Sequence, residues 1–510
     1  MPPAEARDSS TSGADPSAQF DRPYVVSWNL TYRCNLACEH CYLDAGPNPL
    51  VKTEEFSDRS ELSTEDCFRV VDEIATFAPE CLTILTGGEP LLRRDILPIV
   101  RRCAERGLWP VVGTNGVKVT ANVARLLKEA GGRGVALSLD ALDAERHDRF
   151  RAVRGAWQNT VTGAEVLRDE GLPFLVQTTV GRHNLGELEA IAAFACDRLQ
   201  ARVWNLYFLV PTGRGQFVSD ISPAEYDEVL RALARMQRAY TGRMLVNAKC
   251  APHFIRTAFE AERQRSAPEA ERERSANEGA REEAHAGAGD PGTNAAASQA
   301  GGPSSIGSPF LKVYSGGAGG CPAGTHYFGI RPNGDVTPCP YLPQFAGNLR
   351  TARLADLWND SPVFTRLRHR EDLGGRCGAC ELKSLCGGCR ARALGASGDV
   401  MAEDALCTHE PGSFKDAPLL RGPDVVYGAA GKPGIATAGN EAVPAGRTSA
   451  EVVWDEDARE RMKRIPAFVR TMVMRTVEDS CRKEGKERVT LEALEAIRSR
   501  MPVPKVFRPS

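Results

Sequence analysis

Six short apolar runs recur between residues 24 and 210, each separated from the next by a stretch with helical patterning. They are 24–31 (YVVSWNLT), 81–86 (CLTILT), 109–114 (WPVVGT), 134–139 (GVALSL), 173–180 (PFLVQTTV) and 201–210 (ARVWNLYFLV). Strands that are apolar along most of their length are covered on both faces, and intervening helices supply the outer cover. The pattern therefore specifies repeated βα units around a parallel sheet. Six units fit residues 24–245. The expected fold is α/β, a partial barrel of six βα units, with a closed eight-unit barrel as its rival. The first helix should start after Ser63 as N-cap and place Phe68, Val71, Ile74 and Ala75 on one face.

Composition divides the rest of the 510 residues. Residues 1–20 lack the apolar core of a signal peptide and read as disordered. After a core at 21–245 comes a bridging segment, 246–320. Within it, 259–309 is rich in Glu, Arg, Ala, Gly, Ser and Pro and nearly devoid of large apolar residues. Such a stretch cannot bury enough surface to offset its ordering entropy, so disorder is expected there. Residues 321–410 are dense in Cys, Gly and Pro and short of long helices, as in a small domain organised by metal. Residues 411–450 read as a linker. Residues 451–505 read as a small helical domain, with Thr490 as an N-cap and Glu492 in the first turn. The net charge of −2 offers no basic field for nucleic acid. No apolar run approaches the roughly 18 residues of a membrane span. A cytoplasmic, reducing location is expected, where clustered cysteines bind metal more readily than one another.

The sixteen cysteines fall largely into two fields. The first is Cys34-Asn-Leu-Ala-Cys38-Glu-His-Cys41-Tyr42, in the loop directly after the first strand. Parallel βα folds place their active sites at such strand ends. A cubane iron–sulfur cluster normally takes four thiolates, so three close cysteines leave one iron open. That iron could chelate the amino and carboxylate groups of a small amino acid. The alternative is a zinc knuckle with a remote fourth ligand such as His40.

With the cluster loop followed one βα unit later by Thr86-Gly87-Gly88-Glu89-Pro90, residues 24–215 closely resemble the radical S-adenosylmethionine (SAM) superfamily. The resemblance implies a reduced [4Fe–4S] cluster on Cys34, Cys38 and Cys41. It also implies cleavage of SAM to a 5′-deoxyadenosyl radical and a flavodoxin- or ferredoxin-type electron donor. By analogy, Gly87, Gly88, Glu89 and Pro90 contact the amino group of SAM, the glycines permitting close backbone approach. Ser138 and Asp140 match the ribose-binding position. Tyr42 follows the third cysteine as the family's aromatic residue. Thr114, Asn115, Gln177 and Thr179, at or near strand ends, would complete the pocket. No protein acid or base is identified.

The second field runs Cys321-x12-Gly334-x4-Cys339, then Cys377-x2-Cys380-x5-Cys386-x2-Cys389, then Cys407. It resembles the SPASM extension of radical SAM enzymes, which carries two auxiliary [4Fe–4S] clusters, although the last spacing there is usually x3. The resemblance implies an outer cluster on Cys377, Cys380, Cys386 and Cys407. It implies an inner one on Cys321, Cys339 and Cys389, with Cys250 as candidate fourth ligand or an open iron as the alternative. Two structural zinc sites are the other reading. Cys67, Cys81, Cys103, Cys196 and Cys481 lie in helix or strand patterns and read as ordinary buried cysteines.

SPASM enzymes mostly modify peptides. Against that, Asn29-Leu30-Thr31-Tyr32-Arg33, Pro211-Thr212-Gly213-Arg214-Gly215, Cys250-Ala251-Pro252-His253-Phe254 and Cys386-Gly387-Gly388-Cys389-Arg390 resemble the branch that makes heme d1, or heme by the siroheme-dependent route. The tail, from Trp454-Asp455-Glu456-Asp457-Ala458 to Arg464-Ile465-Pro466-Ala467-Phe468-Val469-Arg470, resembles the C-terminal domain of the light-independent protochlorophyllide reductase B subunit. A tetrapyrrole side chain is thus the expected substrate, with Arg214, Arg256 and Arg390 as possible partners of its carboxylates. A peptide or enzyme-subunit maturase, or an iron–sulfur electron-transfer or scaffold protein, are the alternatives.

Overall fold

The computed structural model describes residues 22–47, 61–218, 221–266, 320–414, 453–463 and 488–500, with isolated positions between 474 and 486. The segments read as disordered or linking at 1–20, at 267–309 and at 415–450 lie outside the described residues.

The first half alternates strand and helix throughout. The strands are β1 (Val25–Asn29), β2 (Leu82–Thr86), β3 (Trp109–Thr114), β4 (Gly134–Ser138), β5 (Phe174–Val180) and β6 (Val203–Phe208). Between them run α1 (Thr64–Phe77), α2 (Ile96–Glu105), α3 (Ala121–Glu129), α4 (Ala144–Arg151) with α5 (Ala156–Asp169), and α6 (Leu188–Ala193). After β6 comes α7 (Pro223–Ala239). Each strand pairs parallel with the next in sequence order. The α/β architecture is the one expected, and the six strands fall on the six apolar runs.

Helix α1 starts at Ser63, which forms a capping box with Asp66. Its buried face is Cys67, Val70, Val71 and Ile74. This face is rotated from the expected one, because Cys67 rather than Phe68 points inward. Phe68 and Ala75 pack only at its margin.

The strand count exceeds the expected six. A seventh strand, β7 (Leu245–Lys249), adds parallel to β6, and α8 (Phe254–Ser266) follows. Residues 259–266, expected to be disordered, are the continuation of that helix. On the opposite side, β8 (Tyr327–Ile330), from the second cysteine region, pairs parallel with β1 in the register Val25↔Tyr327. Then β9 (Asp335–Thr337) and β10 (Gly347–Asn348) complete the sheet antiparallel. The order is β10-β9-β8-β1-β2-β3-β4-β5-β6-β7, with β7 and β10 as open edges. Among the described residues, the eight parallel strands thus pair in an open row rather than a closed ring.

The second cysteine region carries only short helices: α9 (Leu354–Asp360), α10 (Pro362–Arg368), α11 (Gly375–Ala379) and α12 (Arg390–Ser397). It shares the main apolar core through Phe328, Trp358 and Phe364. Residues 411–414, expected to open a linker, fold back instead. Glu381 accepts hydrogen bonds from the Gly412 and Phe414 N–H groups at 2.8 and 2.9 Å.

The tail has its own small core, including Trp454, Ala458, Met462, Val477, Cys481 and Val489. It is not wholly helical: β11 (Val453–Trp454) and β12 (Arg488–Val489) pair parallel beside α13 (Glu456–Lys463) and α14 (Leu491–Arg500). Thr490 caps α14, accepting from the Ala493 N–H at 3.1 Å. Among the described residues, no helix is long and apolar enough to cross a membrane.

Candidate active site and auxiliary cysteine sets

The cluster loop leaves β1 and is fastened to the end of β2. Gly88 N–H donates to Thr31 O at 2.7 Å and Glu89 N–H to Arg33 O at 2.8 Å. A Cβ on Gly88 would sit 2.2 Å from Arg33 O, and one on Gly87, whose φ is +132°, 2.8 Å from Thr31 O. The glycines thus let two backbones meet, a reason the sequence alone did not reveal. Gly88→Ala should lower stability by about 1–3 kcal/mol through this clash. It should also weaken SAM binding, read by urea unfolding and by titration calorimetry. Unchanged values for both would contradict this packing.

Above this junction lies a cavity of about 1240 Å³, including its open mouth. Cys34, Cys38 and Cys41 line it, together with Tyr42, Gly87, Gly88, Thr114, Asn115, Ser138, Gln177 and Thr179. Each cysteine sulfur faces a donor. Cys34 Sγ accepts from the Leu36 N–H (3.4 Å) and Asn115 Nδ2 (3.8 Å), Cys41 Sγ from the Ala45 N–H (3.4 Å), and Cys38 Sγ from Arg151 Nη1 (3.6 Å). Burial pushes the Cys34 thiol up to about 12, and repulsion from Cys38, Glu89 and Cys41 adds to it.

Three of the expected cofactor residues do not line the cavity. Glu89 is wholly buried, its carboxylate accepting from the Leu91 N–H, Thr114 Oγ1 and the Asn115 N–H at 2.8–3.0 Å. Burial pushes it up to about 7 against the pull of those donors. Its side chain ties β2 to β3. Pro90 is buried at the start of the following turn. Asp140, expected at the ribose, is also wholly buried. It receives Arg151 Nε at 2.7 Å and the Thr179 N–H at 2.8 Å. Burial opposes its charge, but Arg151, nearby histidines and that N–H outweigh it and hold the carboxyl at about 2. Asp140 therefore fixes Arg151 against Cys38.

The three arginines expected to meet substrate carboxylates are committed elsewhere. Arg214 borders the cavity but clamps the cluster loop, donating to Cys38 O (2.9 Å), Asp44 Oδ1 (2.8 Å) and Ala45 O (2.8 Å). Arg256 pairs with buried Asp227. Arg390 donates to Val400 O and Ala402 O at 2.8 and 2.7 Å and to Cys377 Sγ at 3.7 Å.

Sequence reading missed the far wall. Tyr207 comes from β6, while Tyr327 and Tyr341 come from the second cysteine region. The Tyr341 ring meets that of Tyr42 edge-on at 4.8 Å, and Tyr42 Oη donates to Asn29 Oδ1 at 2.7 Å. His40 also borders the cavity, its ring stacked on Phe150 at 4.3 Å. Burial holds its pKa down at about 3. The one legible hint was that Tyr341 stands two residues after Cys339.

The cysteines of the second field lie close together in the fold. Cys321, Cys339 and Cys389 pack in one apolar cluster that also holds Cys377, with Cys250 at its edge. Cys250 has a left-handed φ of +57°, which turns the chain out of β7 toward the other three. Burial raises the Cys250 and Cys339 thiols well above the ordinary range, and the neighbouring cysteines of the set raise them further. Cys377, Cys380, Cys386 and Cys407 surround a separate cavity of about 300 Å³. The remaining five cysteines are buried in cores, as expected.

All sixteen cysteines are free thiols. A tetrahedral zinc needs sulfurs about 3.8 Å apart, given Zn–S bonds of about 2.3 Å. Among the described residues, only Cys380, Glu381 and His409 bring three ligand atoms within 4.8 Å of one another. None of the three cysteine sets is such a group, and soft thiolates suit iron–sulfur clusters.

A parallel α/β sheet with a three-cysteine strand-end loop bordering a cavity, joined to a region of clustered thiols, is the arrangement of an iron–sulfur enzyme. Comparison with known proteins agrees. Residues 28–195 match the Radical SAM superfamily model, 321–381 the SPASM iron–sulfur cluster-binding domain, and 454–498 the proto-chlorophyllide reductase 57 kD subunit model. The chain is 34% identical over 395 residues to an AdoMet-dependent heme synthase of Methanosarcina barkeri, covering 78% of this chain and 99% of that protein. It is 28% identical over 387 residues to a pre-heme d1 synthase of Dinoroseobacter shibae, covering 75% and 85%. The fold is similar to the crystal structure of Streptococcus suis SuiB bound to S-adenosylmethionine, at TM-score 0.54 and 16% identity over 76% of this chain and 78% of that one. The chain belongs to the radical SAM superfamily, in the family of the AdoMet-dependent heme synthases. It is an enzyme of the radical SAM oxidoreductase type, and its cofactors are iron–sulfur clusters and SAM.

Proposed function

We propose that this chain acts in heme biosynthesis, abstracting a hydrogen atom from a propionate or acetate side chain of a tetrapyrrole. Cys34, Cys38 and Cys41 would hold the cluster that binds SAM. Cys377, Cys380, Cys386 and Cys407 would hold an outer auxiliary cluster, and Cys321, Cys339, Cys389 and Cys250 an inner one. When bound, the first cluster and SAM supply one-electron cleavage of the sulfonium and a 5′-deoxyadenosyl radical that takes hydrogen from substrate.

The observation that carries the reading is the shared cavity. One side is the SAM-site loop, and the other is Tyr327, Pro340 and Tyr341, which stand in the chain beside the inner cysteine set. Substrate between them would meet the radical on one face and an electron acceptor behind the other. The aromatic wall excludes water from an unselective radical. Ser138 and Gln177 would offer hydrogen bonds to SAM, while Thr114 and Asn115, held by Glu89, Asn35 and Val117, would shape its pocket. Arg151 and Arg214 fix the cluster loop from opposite sides. The tetrapyrrole itself rests on the heme-synthase relatives and on the tail's similarity to a proto-chlorophyllide reductase subunit. A flavodoxin- or ferredoxin-type protein would deliver the electron.

An iron tetrapyrrole deuterated in its propionate chains tests this. The reduced, reconstituted protein should transfer deuterium into 5′-deoxyadenosine and release it faster with the tetrapyrrole than without. Release that ignores the tetrapyrrole, with no deuterium incorporated, would reject the substrate.

A further inference from the structure

His253, three residues after Cys250, lines the cavity of the outer cysteine set and is 2% exposed. Its Nδ1 lies 2.8 Å from Tyr226 Oη. Among the described residues, its Nε2 is buried with no hydrogen-bond partner. The ring borders the small cavity enclosed by Cys377, Cys380, Cys386 and Cys407. Leaving a buried polar nitrogen unpaired costs about 1–3 kcal/mol, so the geometry calls for an acceptor at that position.

The surrounding charges fix which nitrogen carries the hydrogen. Asp404 Oδ2 lies 3.6 Å from Nε2, and the cavity that the ring borders is lined by Cys377, Cys380, Cys386 and Cys407 together with Arg376, Lys383 and His409. A lone pair on Nε2 would face the Asp404 carboxylate. With the hydrogen on Nε2, the Tyr226 hydroxyl donates to Nδ1 and both nitrogens are used. Asp404 is too distant to be the acceptor. Its oxygens already receive the Cys389 N–H at 2.7 Å, Arg392 Nε at 2.8 Å and the Leu406 N–H at 3.1 Å. Sulfur inside the cage is the acceptor that remains.

We propose that His253 is a positioning residue for the outer auxiliary cluster, its Nε2–H donating to a cluster sulfur and raising that cluster's reduction potential. The proposal rests on the outer-cluster reading given above. A donor to sulfur stabilises the more negative reduced state, so its removal lowers the potential. Two other donors to this set, Arg390 Nη2 to Cys377 Sγ (3.7 Å) and the Gly388 N–H to Cys386 Sγ (3.5 Å), remain in any His253 variant.

The test uses the full chain with Cys34, Cys38 and Cys41 replaced by alanine, so that only auxiliary clusters titrate. This parent should hold about eight irons, two cubanes of four. A value near four that Cys380→Ala leaves unchanged defeats the outer-cluster reading itself, and the proposal with it. Adding Cys380→Ala identifies the outer signal in a redox titration followed by electron paramagnetic resonance. His253→Phe should keep the irons and lower the outer midpoint, leaving the inner one unmoved. His253→Gln, whose amide nitrogen occupies the place of Nε2, should restore most of the shift. An unmoved outer midpoint in His253→Phe at full iron content overturns the proposal. Where His253→Phe fails to load, His253→Asn is compared with His253→Gln. The asparagine amide is too short to reach the cage, so a lower midpoint for asparagine supports the proposal and equal midpoints overturn it.

Discussion

Replacing Cys34, Cys38 and Cys41 together by alanine should lower the iron content from about twelve to about eight per chain, and abolish formation of methionine and 5′-deoxyadenosine. The loss is expected to be complete, because no other cysteine borders the cavity beside Gly87 and Gly88. The auxiliary sets belong to a region joined to this one by strand pairing and buried contacts, so the variant should still fold around them. Iron and sulfide quantitation after anaerobic reconstitution reads the first effect, and chromatography of the cleavage products reads the second. A wild-type value near four irons would remove both auxiliary clusters. Residual SAM cleavage in the triple variant would remove the assignment of the first.

The largest stability effect should come from Arg392, which no sequence pattern singled out. Its guanidinium and the Asp404 carboxylate are both buried, 2.8 Å apart. Arg392 also donates to Leu209 O at 3.2 Å and to Cys250 O at 2.6 Å, and it lies over the Tyr226 ring at 5.4 Å. One side chain thus joins the cavity wall, the candidate inner cluster and the start of α12. Arg392→Met leaves Asp404 charged and buried with two backbone donors, and should cost about 3–5 kcal/mol. That is a large part of the 5–15 kcal/mol by which domains are usually stable. Denaturant unfolding of the variant reads it. The double variant with Asp404→Leu should recover part of the loss, since the stranded charge is then gone. Strict additivity of the two single changes would show that the pair is not coupled.

The first six strands were legible because each is a compact apolar run ended by a turn. The seventh, Leu-Val-Asn-Ala-Lys, carries Asn247 and Lys249 and so lacks such a run. The eighth, Tyr-Phe-Gly-Ile, is short, and it joins the sheet only through a partner far away in sequence. Motif residues were located well when their backbone or sulfur matters, as with Gly88 and Cys38. Charged side chains were read less well. Glu89, Asp140, Arg256 and Arg390 all bind the protein itself, and a sequence does not distinguish a carboxylate that faces a ligand from one that holds a loop. The tyrosine wall escaped for the same reason as β8, since its members come from both halves of the chain.

The pairing of β8 with β1 has a consequence for how the molecule is made. Val25 waits for Tyr327, about 300 residues later, before its outer edge is covered. At roughly 5–20 residues per second of synthesis, that edge stands bare for roughly 15–60 s on each nascent chain. A bare, apolar edge strand invites pairing with a neighbouring chain. Slow expression with ample chaperone should therefore raise the yield of this protein more than added iron does, and a chain cut before residue 327 should be recovered mainly as aggregate.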